Sequence, residues 1–376
     1  MPNLPTADEL FEFLDGSVRR LTRPHPGDFG PIGSRGRALA WNWSFWGRAL
    51  VFAYAATHES RFLDLFVETV ANIVDQRDDR LGLVDVAKRR VVPGWGTDIN
   101  SVRLNEVTVA GLVTLPLCEF LLLVRDDPVA TERYGHLSDQ YLAIAEEVVW
   151  QYETDYRVSR FGGSYVNPMS GAAEPLNHTH ALAAAFAHLS VLTTTSRYRS
   201  KVDEIAHFFI VSVTREANGS WSWPYVGSPG ALSVAAAEQS WKAGTTIEFP
   251  AAALRHGLAF RDHFEALSAT LMKNILRPDG INTYVTSTRT DLLDERFAGT
   301  SLAGASLAVW FLMPDPHGSH RTALLEQMDR QPNLIPRGWL GGARGLAMAA
   351  AWLMKAAAQA ETRVSRATGD VAWQWR

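Results

Sequence analysis

Two kinds of segment alternate along this chain. Long stretches rich in Ala, Leu and Trp begin near Trp41, Asn105, Asn177, Glu248, Gly299 and Gly342. Between them lie segments with one apolar stripe and a charged remainder: Ala7–Leu21, Arg61–Asp75, Leu137–Tyr152, Tyr198–Arg215, Phe264–Leu276 and Arg321–Met328. A helix that is apolar around most of its circumference is enclosed on nearly all sides, whereas a single stripe marks a helix lying on a surface. Six of each predict an inner and an outer ring, an all-α (α/α)6-type toroid formed by residues 1–376 as a single domain. The N-terminal amphipathic helix then pairs with the last inner segment and closes the circle. The competing architecture, an open HEAT-like stack, fits less well because the units are unevenly spaced and share no short signature.

Strand signals are few. Residues Arg157–Val166 and Gly280–Arg289 alternate β-branched or aromatic positions with polar ones and are expected to form short hairpins or loops over one mouth. Thr97 and Asp98 precede the second inner segment, and Pro175 stands just ahead of Asn177, where an early helical proline is tolerated. The polar tail after Glu361 ends in Trp373-Gln-Trp375 and is expected to fold back onto the body.

Composition narrows the function classes. The 376 residues are 47% hydrophobic and 20% charged, with a net charge of −4, so the chain can bury a large core and has no basic stripe for nucleic acid. Its single cysteine, Cys118, excludes an internal disulfide or a cysteine-based metal site and reads as a small buried hydrophobe. No uninterrupted apolar run reaches membrane-spanning length, and Met1-Pro-Asn-Leu-Pro has no signal-peptide pattern. The expectation is a cytoplasmic protein, monomeric or homodimeric, without a membrane partner.

If the apolar segments line the ring, their polar beginnings meet at one mouth: Asn42 and Ser44; Asn105 and Glu106; Asn177, His178 and His180; Glu248; Arg296 and Thr300; Arg337 and Arg344. A convergent polar rim above an apolar funnel is the default binding site, and helix N-termini favour an anionic ligand. His178 and His180 stand about 200° apart on a regular helix, so they cannot share one ion. No metal and no cofactor are expected. Leu182, Phe186 and Leu189 form a packing face, while Asn177, Ala181, Ala185 and His188 form the small face opposite, with room for a ligand.

Aromatic residues cluster at Trp41, Trp43 and Trp46 and at Trp221, Trp223 and Tyr225. Both readings stand for the first group: packing in the core, or a platform on which a sugar stacks. Tyr225 is expected at the mouth, and Tyr165 and Tyr284 in loops within reach of a substrate. Glu248 and Arg255 are seven apart and share a helix face, so they form either a buried ion pair or part of a catalytic set. Arg296, Arg337 and Arg344 are candidate carboxylate binders through their guanidinium forks.

The alternating architecture resembles the α/α-toroid carbohydrate enzymes, in particular the polysaccharide lyases and uronyl epimerases that act on uronic-acid polymers. The resemblance in motif rests on Asn177-His178 opening an inner helix, the aromatic loop Trp221–Tyr225, and Glu248 with nearby basic residues. It implies β-elimination from an anionic oligo- or polysaccharide. Asn177 would bind the carboxylate, His178 would abstract the neighbouring proton and Tyr225 would protonate the leaving oxygen, with His180 and Glu248 orienting them. Trp43, Trp46, Asn105, Tyr165, Trp223, Tyr284, Arg296 and Arg344 would line the substrate site. A hydrolase on the same ring needs two carboxyls across the bond, for which Glu248 and Glu106 are available, with Asp98 as a third. A sugar epimerase or a non-catalytic sugar-binding scaffold completes the alternatives.

Overall fold

The computed structural model describes residues 4–22, 35–227, 237–292, 307–315, 318–330 and 351. The chain opens on helix α1 (Ala7–Thr22), begun by a reciprocal cap in which the Glu9 amide donates to Thr6 Oγ1 (3.2 Å) and the Thr6 amide to Glu9 Oε2 (2.8 Å). Its Leu10, Leu14, Val18 and Leu21 form one buried stripe. Next come the short helix α2 (Arg35–Ala38), a wide turn Leu39–Trp43 and α3 (Ser44–Thr57). The following pair is α4 (Ser60–Val74) with the short α5 (Asp78–Leu81), then α6 (Val107–Asp126). Helices α7 (Pro128–Tyr134), α8 (Ser138–Trp150), α9 (Leu176–Leu192), α10 (Ser196–Ser212), α11 (Ser240–Arg255), α12 (Phe264–Ala269) and α13 (Ser319–Arg330) follow.

The two kinds of segment separate as their patterns require. In α6 all but Leu123, Arg125 and Asp126 are buried, and α9 is buried as far as Leu189 except at His178. By contrast α4 buries Phe62, Leu63, Leu65, Phe66, Thr69, Val70 and Ile73 along one side. The inner wall is therefore α3, α6, α9 and α11, and the outer layer is α1, α4, α8, α10, α12 and α13: an α/α toroid. Helix α6 is long and apolar enough to cross a membrane, with a hydropathy of 2.2, yet 94% of that stretch is buried within the protein. Neighbours on every side account for its apolarity.

Small residues let the inner helices approach. A Cβ on Gly111 would stand 2.3 Å from the Ala181 carbonyl carbon and 2.4 Å from the Leu182 amide nitrogen, so α6 and α9 meet backbone to backbone. Alanines 181, 183, 184, 185 and 187 of α9 keep that approach open towards both α6 and α11.

The links at the two ends of the ring differ. At one end they are short, 58–59 and 193–195. At the other, where inner helices begin, they are long and carry five antiparallel hairpins. These are β1 (Val84–Asp85) with β2 (Arg90–Val91), β3 (Thr97–Ile99) with β4 (Val102–Leu104), β5 (Tyr156–Ser159) with β6 (Gly162–Tyr165), β7 (Thr214–Arg215) with β8 (Trp221–Ser222), and β9 (Leu276–Arg277) with β10 (Gly280–Ile281). Two of them fall where alternation predicted strands, with Gly280–Ile281 paired back onto Leu276–Arg277. Gly162 is required: its φ is +105°, and a Cβ there would stand 2.3 Å from the Glu204 carbonyl oxygen of α10.

Several boundaries depart from the sequence pattern. Helix α11 starts at Ser240, two turns before the expected Glu248, because Ser240–Thr246 is mostly small or polar and so lacks an apolar pattern, although only Trp241 and Lys242 in it are not buried. Helix α10 stops at Ser212, and Thr214–Arg215 pairs as a strand instead. The segments expected to begin near Gly299 and Gly342, with Arg296, Thr300, Arg337, Arg344, Trp373 and Trp375, lie outside the described residues, apart from 307–315 and Ala351.

Candidate functional site

The centre of the ring is closed by charge. Arg48 of α3 donates from Nε and Nη2 to Glu119 of α6 (3.0 and 2.9 Å) and from Nη1 to Glu248 of α11 (2.6 Å). All three side chains are at most 3% exposed. Burial works against the Arg48 charge, but the two carboxylates outweigh it and hold the guanidinium more firmly protonated. Beneath this cluster His188 Nδ1 meets His256 Nε2 at 2.8 Å. The ring is thus a cup with a floor. Glu248 sits in that floor, about 12 Å below the start of α11 at 1.5 Å per residue, rather than at the mouth. Its partner is Arg48, not the expected Arg255, which emerges at the far end of α11 and is solvent-exposed.

At the mouth, residue 174 leads into α9 through Pro175. Glu174 Oε2 lies 2.7 Å from His178 Nδ1, and its Oε1 accepts from Asn167 Nδ2 at 3.1 Å. A carboxylate can only accept, so Nδ1 carries a proton, and Nε2 is the nitrogen that can take up another. This Asn–Glu–His relay has the form of an oriented general base. The His178 side chain is 24% exposed, so the ring meets water or a ligand.

Tyr225 is brought beside it by the main chain. The Leu176 amide donates to the Tyr225 carbonyl (2.9 Å), and Pro175 bridges to Val226. Burial, with Glu238, Glu174 and Glu106 in range, raises the Tyr225 phenol above its ordinary value, so its proton is retained. Its hydroxyl has no hydrogen-bond partner among the described residues. Lys242, in the first turn of α11, places Nζ 3.8 Å from the Tyr225 ring centroid.

Behind these groups Glu238 is fully buried. Its Oε2 accepts from Trp223 Nε1 (2.6 Å) and from Thr246 Oγ1 (2.7 Å), while Oε1 has no partner among the described residues. Burial pushes the carboxyl up to about 8 despite those two hydrogen bonds and the nearby Lys242. His180 donates from Nδ1 to the Thr246 carbonyl (2.6 Å) and sits edge-on to Phe209 and Phe249. Burial lowers it to about 4, so it ties α9 to α11 as a neutral ring inside the wall rather than at the rim.

The other expected site residues divide. Trp43 is fully buried, stacked on Phe66, and belongs to the core. Trp223 is equally buried and serves the Glu238 network. Tyr165 is buried against Tyr156, its hydroxyl without a partner among the described residues. Asn105 braces the long loops: its amide donates to Asp85 Oδ2 (2.7 Å) and its Nδ2 to Asp78 Oδ2 (3.0 Å). Trp46 and Tyr284 are half-buried, and the Arg289 guanidinium lies 3.7 Å from the Tyr284 ring centroid. Glu106 is clamped by both arms of Arg37 at 2.9 Å. Asn177 lies in the first turn of α9 beside His178, as expected, and its side chain is buried.

Six buried polar atoms at this end are unpartnered among the described residues; others, such as Tyr54 Oη and Arg61 Nε, lie elsewhere in the fold. Trp46 Nε1, Asn105 Oδ1, Thr108 Oγ1, Asn177 Oδ1, Glu238 Oε1 and Ser240 Oγ are buried and lack a hydrogen-bond partner among the described residues. All lie at or beside the start of an inner helix. Such groups cost about 1–3 kcal/mol each when left unpaired, and native proteins pair them with protein or ordered water.

No protein-family model and no curated protein matches the chain. Solved structures do. A doubly substituted inactive variant of an α-1,6-mannanase from a Salegentibacter species, in complex with α-1,6-mannotriose, superposes with a TM-score of 0.55 at 13% identity, covering 94% of this chain and 99% of that one. The likeness is one of fold. A D-mannose isomerase gives a TM-score of 0.55 at 10% identity over 95% and 100% of the two chains. A polysaccharide lyase gives 0.50 at 13% identity over 98% and 100%.

Glu174, Lys242 and Glu238 carry much of the mouth's chemistry and were not singled out by sequence reasoning. Glu174 precedes the helix it serves, and Glu238 and Lys242 flank a start that the apolar pattern places two turns too late.

Proposed function

We propose that this chain is a carbohydrate lyase that cleaves a uronate-containing oligo- or polysaccharide by β-elimination. The observation that carries the reading is the His178 ring held by Glu174, with Tyr225 hydrogen-bonded into the start of the same helix. His178 Nε2 takes the proton from the carbon bearing the carboxylate, the electron pair forms the new double bond, and the C–O bond at the next carbon breaks. Tyr225, whose phenol holds its proton, supplies it to the leaving oxygen. Asn177 hydrogen-bonds the substrate, and the unpartnered groups around the rim suit a ligand rich in hydroxyls. The likeness in fold to a polysaccharide lyase agrees with this reading.

Hydrolysis is the second reading, favoured by the fold likeness to the mannanase. It requires two available carboxyls across the scissile bond. Among the described mouth carboxyls, Glu106 is engaged by Arg37, Glu174 by His178 and the exposed Asp98 by Arg103, while Glu238 is enclosed. Incubation with alginate, glucuronan, hyaluronan and pectate separates the two. Elimination yields products with the ultraviolet absorbance of a conjugated uronate, and both His178→Ala and Tyr225→Phe abolish it. New reducing ends without that absorbance, or full activity in both variants, overturn the lyase reading.

A further inference from the structure

Lys242 is a cation in a costly position. It is the third residue of α11, the end of a helix where the dipole disfavours positive charge. It is half-buried, and loss of water lowers its pKa although Glu238 acts in the opposite sense. Its backbone amide donates to the Gln239 carbonyl (2.9 Å), but among the described residues its ammonium makes no hydrogen bond and no ion pair. Its ammonium lies against the faces of Tyr225 (3.8 Å) and Trp241 (5.1 Å). The carboxyl acting on it is Glu238, which burial pushes up to about 8 and whose Oε2 is taken by Trp223 and Thr246 rather than by Lys242. An ammonium held on two aromatic faces, without a carboxylate among the described residues, has its electrostatic demand unmet by them. Beside it, Asn177, Glu238 and Ser240 present buried polar atoms that also lack partners among the described residues.

We propose that Lys242 is the specificity-determining residue of the mouth and binds the carboxylate of an anionic sugar seated against Tyr225. The inference rests on the reading of this mouth as a uronate site and deepens it. Asn177 offers hydrogen bonds but no charge, whereas Lys242 adds the charge that neutralises the substrate carboxylate and so acidifies the carbon-bound proton that His178 removes. An ammonium at this point also separates uronates from neutral hexoses, because a neutral sugar leaves Lys242 without a partner.

The test uses isothermal titration of the His178→Ala chain carrying Lys, Met or Arg at position 242. The probes are tetrasaccharides from glucuronan, alginate and pectate, with their carboxyl-reduced counterparts. With Lys242, the best carboxylated probe is expected to bind about ten-fold or more tightly than its reduced form, the scale of one charge-assisted hydrogen bond. Lys242→Met is expected to bring the two forms to roughly equal affinity without weakening the reduced probe, and Lys242→Arg to retain most of the preference. A purely structural role for Lys242 leaves the preference intact in Lys242→Met. That result, or a parent protein that shows no preference, overturns the inference. Titration reads binding and the ultraviolet assay reads turnover, so the two proposals fail separately. A Lys242-dependent preference without unsaturated product sinks elimination and leaves carboxylate recognition standing.

Discussion

The floor and the mouth of this cup are built from the same residue types and treat them in opposite ways. In the floor, Arg48 spends every available arm on Glu119 and Glu248, and the three side chains lie at most 3% exposed. At the mouth, among the described residues, Lys242 has no carboxylate partner, His178 Nε2 has no hydrogen-bond partner and the Tyr225 hydroxyl has none either. Charge that is satisfied and sealed holds helices together; charge that is desolvated but unsatisfied is available for chemistry. The difference follows from position. The floor joins helices already fixed by apolar packing, whereas the mouth is formed by loops that can place a polar group without completing its bonds.

The comparison predicts that the two regions respond to substitution in different observables. The largest effect is expected for His178→Ala: loss of about 10²–10⁴-fold in turnover on the best substrate, the scale of one general base, with no change in melting temperature. Arg48→Met should do the reverse. Stranding two buried carboxylates is expected to cost about 3–5 kcal/mol in denaturant unfolding. If that variant folds normally and only turnover is lost, the floor is part of the active site and the distinction collapses. Gly111→Ala forces α6 and α9 apart where a Cβ meets backbone at 2.3 Å, and is expected to cost about 1–3 kcal/mol. A neutral outcome there would mean that the inner wall is looser than its spacing implies.

A last effect concerns pH. The Glu238 carboxyl is raised from an ordinary value of 4.5 to about 8 by burial, so the folded chain keeps a proton that the unfolded chain has lost between those values. Stability contributed by this group is present below the ordinary value and declines as pH rises towards 8. Glu238→Gln, which can still accept from Trp223 and Thr246, should flatten that decline in melting scans across the same interval. An unchanged pH profile would show that Glu238 is not the group responsible.

Much of the ring was legible because period and composition report enclosure. Segments around Asn105 and Asn177 are apolar on all sides since neighbours surround them, and a lone stripe such as that of α4 has one neighbouring layer. The mouth was legible in part. Asn177-His178 stood out because two polar residues open an otherwise apolar helix, and Tyr225 because it ends an aromatic loop. Glu248 was misplaced for a physical reason: a buried glutamate in an alanine-rich helix looks like a polar start until Arg48, 200 residues away, supplies its partner. Trp43 and Trp46 were equally ambiguous, since sequence does not say which side of a helix faces a neighbour.

The alternation of apolar and striped helices was enough to determine an all-α toroid with one polar mouth, because burial of that much apolar surface has few other solutions. Which of the polar residues are paired was decided only by the tertiary structure. Arg48 with Glu119 and Glu248, His178 with Glu174, and Lys242 on Tyr225 all join segments far apart in the chain or cross a helix boundary that the pattern blurs. Hydrophobic burial is summed over a segment and survives in its composition. Electrostatic pairing depends on ångström distances between particular atoms, and those exist only once the ring has closed.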